Sequence, residues 1–171
     1  MSNEEILFKS SQIKREASEI LEIYKITENL KEFELEIIGS YKLDLMYDRD
    51  IDIVVKSNNV EVDSYKSLKK FIKSKQFMKV QYGDFINFPR NNRPKGYIIN
   101  LFLEYKEKLW EVEIWFLGNI NSSLKEMIQI ENKLNQENKL NILKEKEKRE
   151  KFNVSKKELS SYKIYKDILD L

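Results

Sequence analysis

Apolar residues recur along the first 31 positions at the three- and four-residue spacing of an amphipathic helix. They are Ile6, Ile13, Ala17, Ile20, Leu21, Tyr24 and Leu30, and neither proline nor glycine interrupts them. This pattern predicts one helix over residues 4–31. The period then changes to two over residues 34–38, which predicts a strand that ends at Gly39.

The middle of the chain alternates strand and helix signals. Residues 40–47 can form a short helix, and residues 50–55 are rich in β-branched side chains, which favours a second strand. The next helix is expected to begin at a cap, Asp63 or Ser64, and to end near residue 75. The remaining expectations are a strand over residues 76–82, a loop over residues 83–96, and paired strands over residues 97–105 and 109–117.

The C-terminal part, residues 121–171, has helical patterns. The segments 123–126 and 155–158 both fit a capping box. Residues 144–151 mix both signs of charge, which predicts a solvated helix face. We therefore expect an α/β fold (α+β in the looser sense): a small mixed β-sheet flanked by helices. We expect residues 1–171 to form a single domain, with its core at about residues 33–117.

Composition narrows the possible chemistry. The chain of 171 residues has no cysteine and no histidine, which excludes disulfides, thiolate zinc sites, a cysteine nucleophile and imidazole chemistry. Catalysis would depend on carboxylates, lysine, tyrosine, serine or a bound metal, and oxygen ligands favour magnesium or manganese. The net charge of +2 argues against long duplex nucleic acid as a partner, although short RNA stays open.

The sequence also indicates where in the cell the protein is expected. No apolar run approaches the ~20 residues of a membrane span, and the N-terminal residues do not resemble a signal peptide. We therefore expect a cytoplasmic protein without a membrane partner.

Two short motifs on consecutive predicted strands carry the candidate chemistry. Asp50 and Asp52 are separated by one residue, so their side chains project from the same face of a strand. Two carboxylates ~4 Å apart repel by roughly 4 kcal/mol at an effective dielectric constant of 20, and a divalent cation would relieve that repulsion. Gly39 lets the backbone approach a ligand closely, and Ser40 with nearby amides can bind phosphate.

In this order, the two motifs resemble those of the DNA polymerase beta-like nucleotidyltransferase superfamily. Its pattern is a strand, Gly-Ser, roughly ten residues, and Asp-x-Asp on a second strand; Gly39, Ser40, Asp50 and Asp52 match it. The resemblance covers about residues 33–117. It implies transfer of a nucleoside monophosphate from a nucleoside triphosphate, such as ATP, to a hydroxyl group, with release of pyrophosphate.

The resemblance also implies a third carboxylate on a later strand. Glu111 and Glu113 are candidates on one strand face, and Glu113 resembles the family position better. The expected ligands of Mg²⁺ or Mn²⁺ are therefore Asp50, Asp52 and Glu113, which are also the expected catalytic residues. Because residues two apart lie about 6.5–7 Å apart along a strand, we expect only one glutamate to lie level with the aspartates.

Nucleotide contacts beyond the metal are expected from Gly39, Ser40, Lys42 and Arg90. Arg90 shares its loop with Arg93 and Lys95, and ordinary surface charge is the alternative for each of these cations. The acceptor stays open, since an antibiotic, a protein side chain, a tRNA end or a small metabolite would each fit. A homodimer or a partner protein could complete the cleft.

Glutamate at the third position, where aspartate is commoner, keeps two other functions open. One is a non-catalytic nucleotide-binding regulatory module on the same fold. The other is a toxin–antitoxin-type component that acts through a partner chain, with the helical residues 121–171 as its interface.

Overall fold

A five-stranded mixed sheet forms the centre of the computed structural model, which describes residues 1–91, 93–156 and 158–171. The strands are β1 (Glu34–Ile38), β2 (Asp50–Lys56), β3 (Lys79–Asp84), β4 (Tyr97–Tyr105) and β5 (Lys108–Leu117). Their order is β1-β2-β5-β4-β3, with β2 and β5 parallel and the other neighbours antiparallel. The predicted mixed sheet and the predicted pairing of β4 with β5 are confirmed.

Helices surround the sheet. They are α1 (Asn3–Ile23), α2 (Ile26–Asn29), α3 (Gly39–Lys42), α4 (Val60–Ser74), α5 (Asn121–Lys133), α6 (Gln136–Lys151) and α7 (Ser161–Leu169). The single helix predicted over residues 4–31 is wrong, because Lys25 adopts a left-handed conformation (φ 51°) and separates α1 from α2. The short helix after β1 is also shorter than predicted, since it ends at Lys42.

Several helix starts differ from the sequence predictions. The cap of α4 is Asn59 rather than Asp63 or Ser64, and α5 begins at Asn121, before the predicted capping box. Ser155 and Glu158 exchange capping-box hydrogen bonds, but α7 begins only at Ser161, behind the cap Ser160. Lys157, within that motif, and Asn92, within the predicted loop, lie outside the described residues.

The main core fills the space between α1, α2 and α4 and one face of the sheet. Ile51 and Ile53, predicted to enter the core, are fully buried there with Val112 and Ile114. A second apolar cluster joins the start of α1 to the segment after α3 and to α5, α6 and α7. No described helix is long and apolar enough to cross a membrane.

Among the described residues, an apolar cluster covers one end of the opposite face of the sheet. There, Val54, Trp115 and Leu117 pack beneath Ile120, at the start of α5. Toward the beginning of β2 the same face carries acidic side chains that stay partly exposed. The candidate site lies at this partly exposed end of the face.

The solvated face predicted for residues 144–151 is confirmed for Lys148, Glu150 and Lys151, which are exposed, but the prediction is wrong for two residues of the stretch. Lys146 is 0% exposed and Arg149 is 3% exposed, although both lie in the highly charged helix α6. Each is buried because it reaches a partner near the sheet: Lys146 reaches Ser40, and Arg149 reaches Asp48.

Candidate functional site

Two neighbouring strands bring four carboxylates together. In the parallel register of β2 and β5, Asp50 lies opposite Glu111 and Asp52 lies opposite Glu113. Register partners project from the same face of a sheet, so the four side chains form two adjacent pairs. The expectation that only one glutamate lies level with the aspartates is wrong, because each aspartate has its own glutamate partner.

Asp52 and Glu113 lie where negative charge on a carboxylate is unfavourable. Burial, followed by the negative charges of Asp50 and Glu113, raises the pKa of Asp52 to about 8. Burial also raises the pKa of Glu113; Arg93 acts in the opposite direction, and Glu111 and Asp50 add to the increase. The Arg93 guanidinium lies 3.8 Å from Glu113 Oε2. Arg93 therefore offsets only part of the unfavourable negative charge at Glu113.

Asn100 distinguishes the two glutamates. Its Nδ2 donates a 2.7 Å hydrogen bond to Glu111 Oε1, which ties that carboxylate to β4. Asn100 is the register partner of Glu113 across β4 and β5, and its Oδ1 has no hydrogen-bond partner among the described residues. Glu111 is thus held by a neutral amide, whereas Glu113 lies beside Asp52.

The donor set suits a hard divalent cation. Among the described residues, no group of three or more acidic side chains is already arranged as a metal cluster. The carboxylates of Asp50, Asp52 and Glu113 nevertheless share one face, and burial together with their mutual repulsion raises the pKa of Asp52. Oxygen donors with excess negative charge are the ligands that magnesium and manganese prefer. These three residues would hold the cation.

A lysine from the C-terminal part contacts this array of four carboxylates on β2 and β5. Lys156 Nζ lies 2.7 Å from Asp50 Oδ2 and 3.9 Å from Asp48 Oδ1. Asp48 also pairs with Arg149. Burial acts to raise the pKa of Asp48, but the positive charges of Lys156, Lys146 and Arg149 outweigh it and lower that pKa.

Sequence reasoning missed these contacts. Asp48, Arg149 and Lys156 occur in stretches with ordinary surface composition, and about 100 residues separate the two sides of each pair. No local pattern marks such partners, so only the folded chain reveals them.

Gly39 places the predicted phosphate turn against the predicted metal ligands. Its φ is +67°, and a Cβ there would lie 2.5 Å from Asp52 Oδ2. Ile38, just before the turn, is the register partner of Asp52. The backbone can make this approach only without a side chain, as expected for the glycine of the motif.

Ser40 is held from behind by the C-terminal helices. It is buried, and its Oγ lies 2.8 Å from the Tyr165 hydroxyl. The buried Lys146 donates to Ser40 Oγ (2.8 Å), to the Leu45 carbonyl oxygen (2.8 Å) and to the Tyr165 hydroxyl oxygen (3.0 Å). A positive charge therefore lies directly behind the turn.

The other predicted nucleotide contacts are more peripheral. Lys42 is the last residue of α3 and is partly exposed. Arg90 is exposed, with its guanidinium 5.5 Å from the centre of the Phe85 ring, whereas Arg93 from the same loop reaches Glu113. Roles for Lys42 and Arg90 in phosphate binding stay predictions.

A pocket of about 430 Å³ lies beside Asp48 and Glu111, next to the three proposed metal ligands but not lined by them. Its lining includes Asp48, Trp110, Glu111 and Lys156, so it extends from the aspartate end of β2 across the start of β5. It combines acidic, basic and aromatic side chains, which suits a small polar ligand.

Comparison with known proteins identifies the fold. No protein-family model and no curated protein sequence matches the chain. Among solved structures, it is similar to the polymerase core of TRAMP, an RNA surveillance complex, with a TM-score of 0.58 and 17% sequence identity. The match covers 96% of this chain and 49% of that chain, so this chain spans about half its length. The chain therefore shares the fold of that polymerase core, which confirms the predicted α/β fold.

Proposed function

We propose that this protein is a metal-dependent nucleotidyltransferase that transfers a nucleoside monophosphate from a nucleoside triphosphate to a hydroxyl acceptor. The observation that carries the proposal is the β2–β5 register, which sets Asp52 opposite Glu113 and against the Gly39 turn. Phosphate and metal sites would then adjoin each other, as this reaction requires.

Different residues would bind the metal ion and the phosphates. Asp50, Asp52 and Glu113 would hold the divalent cation that accompanies the triphosphate. Backbone amides of the turn at Gly39 and Ser40 bind the outer phosphates once the Gly39 N–H exchanges its 3.2 Å contact with Met127 Sδ for a phosphate oxygen, and Lys146 supplies positive charge behind them. When bound, Mg²⁺ or Mn²⁺ neutralises triphosphate charge and favours ionisation of the acceptor hydroxyl.

Glu113 is the proposed general base. Its carboxylate takes the proton of the acceptor hydroxyl as the acceptor oxygen bonds to the α-phosphorus. The bond between that phosphorus and the oxygen bridging to the β-phosphate breaks, and pyrophosphate leaves. Burial raises the pKa of Glu113, which favours proton uptake.

The pocket beside the carboxylates is the proposed acceptor site. Its volume of about 430 Å³ suits a small metabolite, an antibiotic fragment or a single chain end better than a folded duplex. The near-neutral charge of +2 favours a small acceptor as well. An RNA end stays among the candidates, because the similar solved structure is a polymerase core from an RNA surveillance complex.

A regulatory nucleotide-binding module is the second candidate function. Two observations favour it: Lys156 contacts Asp50, and Arg93 lies beside Glu113, so cationic side chains already partly offset the array. Such a protein would bind triphosphate without turning it over.

Transfer of the labelled nucleoside monophosphate to an acceptor distinguishes the two functions. The protein is incubated with Mg²⁺, each of the four common α-³²P-labelled triphosphates and a panel of hydroxyl acceptors. We expect labelled acceptor, and we expect Glu113→Gln to lower turnover by on the order of 10²–10⁴ while triphosphate binding stays within several-fold. Glu111→Gln, the comparison on the same strand, changes a residue that lines the acceptor pocket and should lower turnover far less than Glu113→Gln.

Two results would contradict this assignment. Triphosphate binding without transfer to any acceptor would favour the regulatory module. Loss of turnover in Glu111→Gln but not in Glu113→Gln would exchange the roles of the two glutamates.

A further inference from the structure

A cation that belongs to the chain already contacts the proposed metal site. Lys156 Nζ donates a 2.7 Å hydrogen bond to Asp50 Oδ2, although the two residues lie 106 positions apart. Asp50 begins β2, and Lys156 lies between α6 and α7. The contact is therefore made by tertiary folding and not by local chain geometry.

We propose that Lys156 is a tethered counter-ion of the metal site: its ammonium holds Asp50 in the metal-free protein and is displaced when a divalent cation binds. This inference rests on the proposed function, because it takes Asp50 to be a metal ligand. It assigns a role in metal binding to a residue of the C-terminal helical part.

The lysine and the cation compete for the same oxygen. A divalent ion coordinates a carboxylate oxygen at about 2.0–2.6 Å, so an ammonium 2.7 Å from Asp50 Oδ2 occupies the approach that the ion needs. Both cations could not contact this oxygen without repelling each other at short range. Binding of the ion thus requires Lys156 to move away.

The position of Lys156 lets it leave without unfolding a helix. Its side chain is 51% exposed, and α6 ends at Lys151 while α7 begins only at Ser161. Lysine carries its charge on a flexible four-carbon stem, so a rotamer change releases Asp50. The neighbouring Arg149–Asp48 pair, which Lys156 approaches to 3.9 Å at Asp48 Oδ1, can keep the segment in place when Lys156 leaves Asp50.

Charge balance explains why a counter-ion is present. Asp50, Asp52, Glu111 and Glu113 place four carboxylates on one face of β2 and β5. Arg93 lies 3.8 Å from Glu113, so Lys156 is the cation at the aspartate side of the array. It offsets repulsion in the metal-free protein at the expense of metal affinity.

The test is a Mn²⁺ titration without nucleotide, with free Mn²⁺ followed by electron paramagnetic resonance. The variants are Lys156→Met, Lys156→Gln, Lys156→Arg and, as a control with the same loss of charge, Lys163→Met on the exposed side of α7. Circular dichroism verifies that each is folded. Because the metal-competent fraction scales the apparent affinity, we expect Met and Gln at position 156 to tighten Mn²⁺ binding roughly three- to tenfold.

Three control variants test whether the charge at position 156 acts through Asp50. Lys156→Arg keeps a cation that can pair with Asp50 and should bind Mn²⁺ like the parent, as should Lys163→Met. In Asp50→Asn/Lys156→Met the gain should vanish, since the oxygen for which the two cations compete is no longer charged.

Failure of this inference can be told apart from failure of the proposed function. If Mn²⁺ binding depends on Asp50 but Lys156→Met binds no more tightly than the parent, the tethered counter-ion is wrong and the metal site stands. If the parent binds no Mn²⁺, or binds it equally well as Asp50→Asn, both proposals are overturned.

Discussion

Gly39 and Asp52 make the closest contact between the two halves of the proposed site. The glycine has φ +67°, in the left-handed region, and its missing Cβ would lie 2.5 Å from Asp52 Oδ2. A side chain there would strain the backbone and push away a proposed metal ligand at the same time. The sequence motif identified this residue, and the geometry gives the physical reason for a glycine.

We expect Gly39→Val to weaken triphosphate binding more than tenfold, measured by calorimetry with Mg²⁺. Gly118→Val is the matched control, since a Cβ at that glycine meets nothing within 4 Å. Ser40→Ala removes the hydroxyl that contacts the buried Lys146 and Tyr165, so it should lower the free energy of unfolding by about 1–3 kcal/mol but weaken triphosphate binding less than Gly39→Val does. Parent-like binding by a folded Gly39→Val would make the phosphate-turn assignment wrong.

The raised pKa of Asp52 predicts a pH dependence of stability. This pKa is about 8 in the folded protein and 3.8 without the fold. Between these values the folded state binds more protons than the unfolded state, so the free energy of unfolding falls as pH rises from about 4 to 8. Negative charge on Asp52 is unfavourable when neither a proton nor a metal offsets it.

Thermal unfolding in the presence of chelator tests this effect. The Tm of the parent should fall as pH rises from about 5 to 8, and Asp52→Asn should flatten that part of the profile. Mg²⁺ should restore stability most at the upper end, where Asp52 must be ionised. An equally steep fall in Asp52→Asn would show that another group is responsible.

Elements distant in sequence meet behind the phosphate turn. Helix α6 supplies the buried Lys146, and α7 supplies Tyr165, whose hydroxyl bonds to both Lys146 and Ser40. Leaving a buried polar group without its partner costs about 1–3 kcal/mol, so these bonds fix the turn as well as the helices.

Tyr165→Phe should lower the free energy of unfolding by roughly 1 kcal/mol and weaken triphosphate binding, because Ser40 and Lys146 lose a partner. Denaturant titration measures the first effect and calorimetry the second. Tyr162→Phe is the control: it lies on the same helix with an exposed ring and should stay within about 0.5 kcal/mol of the parent. Equal effects of the two changes would argue against the buried hydroxyl.

The strands could be predicted from the sequence, but the residues that α6 contacts near the sheet could not. β1, β2, β4 and β5 follow period-two and β-branched patterns, which depend on nearby residues alone. Lys146 and Arg149 look like solvated charges because their partners, Ser40 and Asp48, lie about 100 residues earlier. The motif glycine and carboxylates were identified for the same reason that the strands were: their spacing is local.

At the scale of the whole molecule, three cationic side chains join the C-terminal part to the sheet end. Lys146 reaches Ser40, Arg149 reaches Asp48, and Lys156 reaches Asp50. The second apolar cluster lies beside them and includes residues of α5, α6 and α7. We infer that residues 121–171 complete the site and unfold together with the sheet.

Two probes can test this cooperativity. Both tryptophans, Trp110 and Trp115, lie in β5, so their fluorescence reports on the sheet, while far-ultraviolet circular dichroism weights the helices. We expect coincident transitions in denaturant, as for a single cooperative domain. A helical transition at lower denaturant concentration would mean that the C-terminal helices form a separate unit.

Dependence of triphosphate binding on metal tests the central claim most directly. Calorimetry of the parent with each of the four common triphosphates, in Mg²⁺ and in excess chelator, should show binding only with the metal. Asp50→Ala and Asp52→Ala should abolish the metal-dependent part while staying folded, because each removes one of two repelling charges. Equal affinity with Mg²⁺ and with chelator would contradict the assignment of these carboxylates to a metal–nucleotide site.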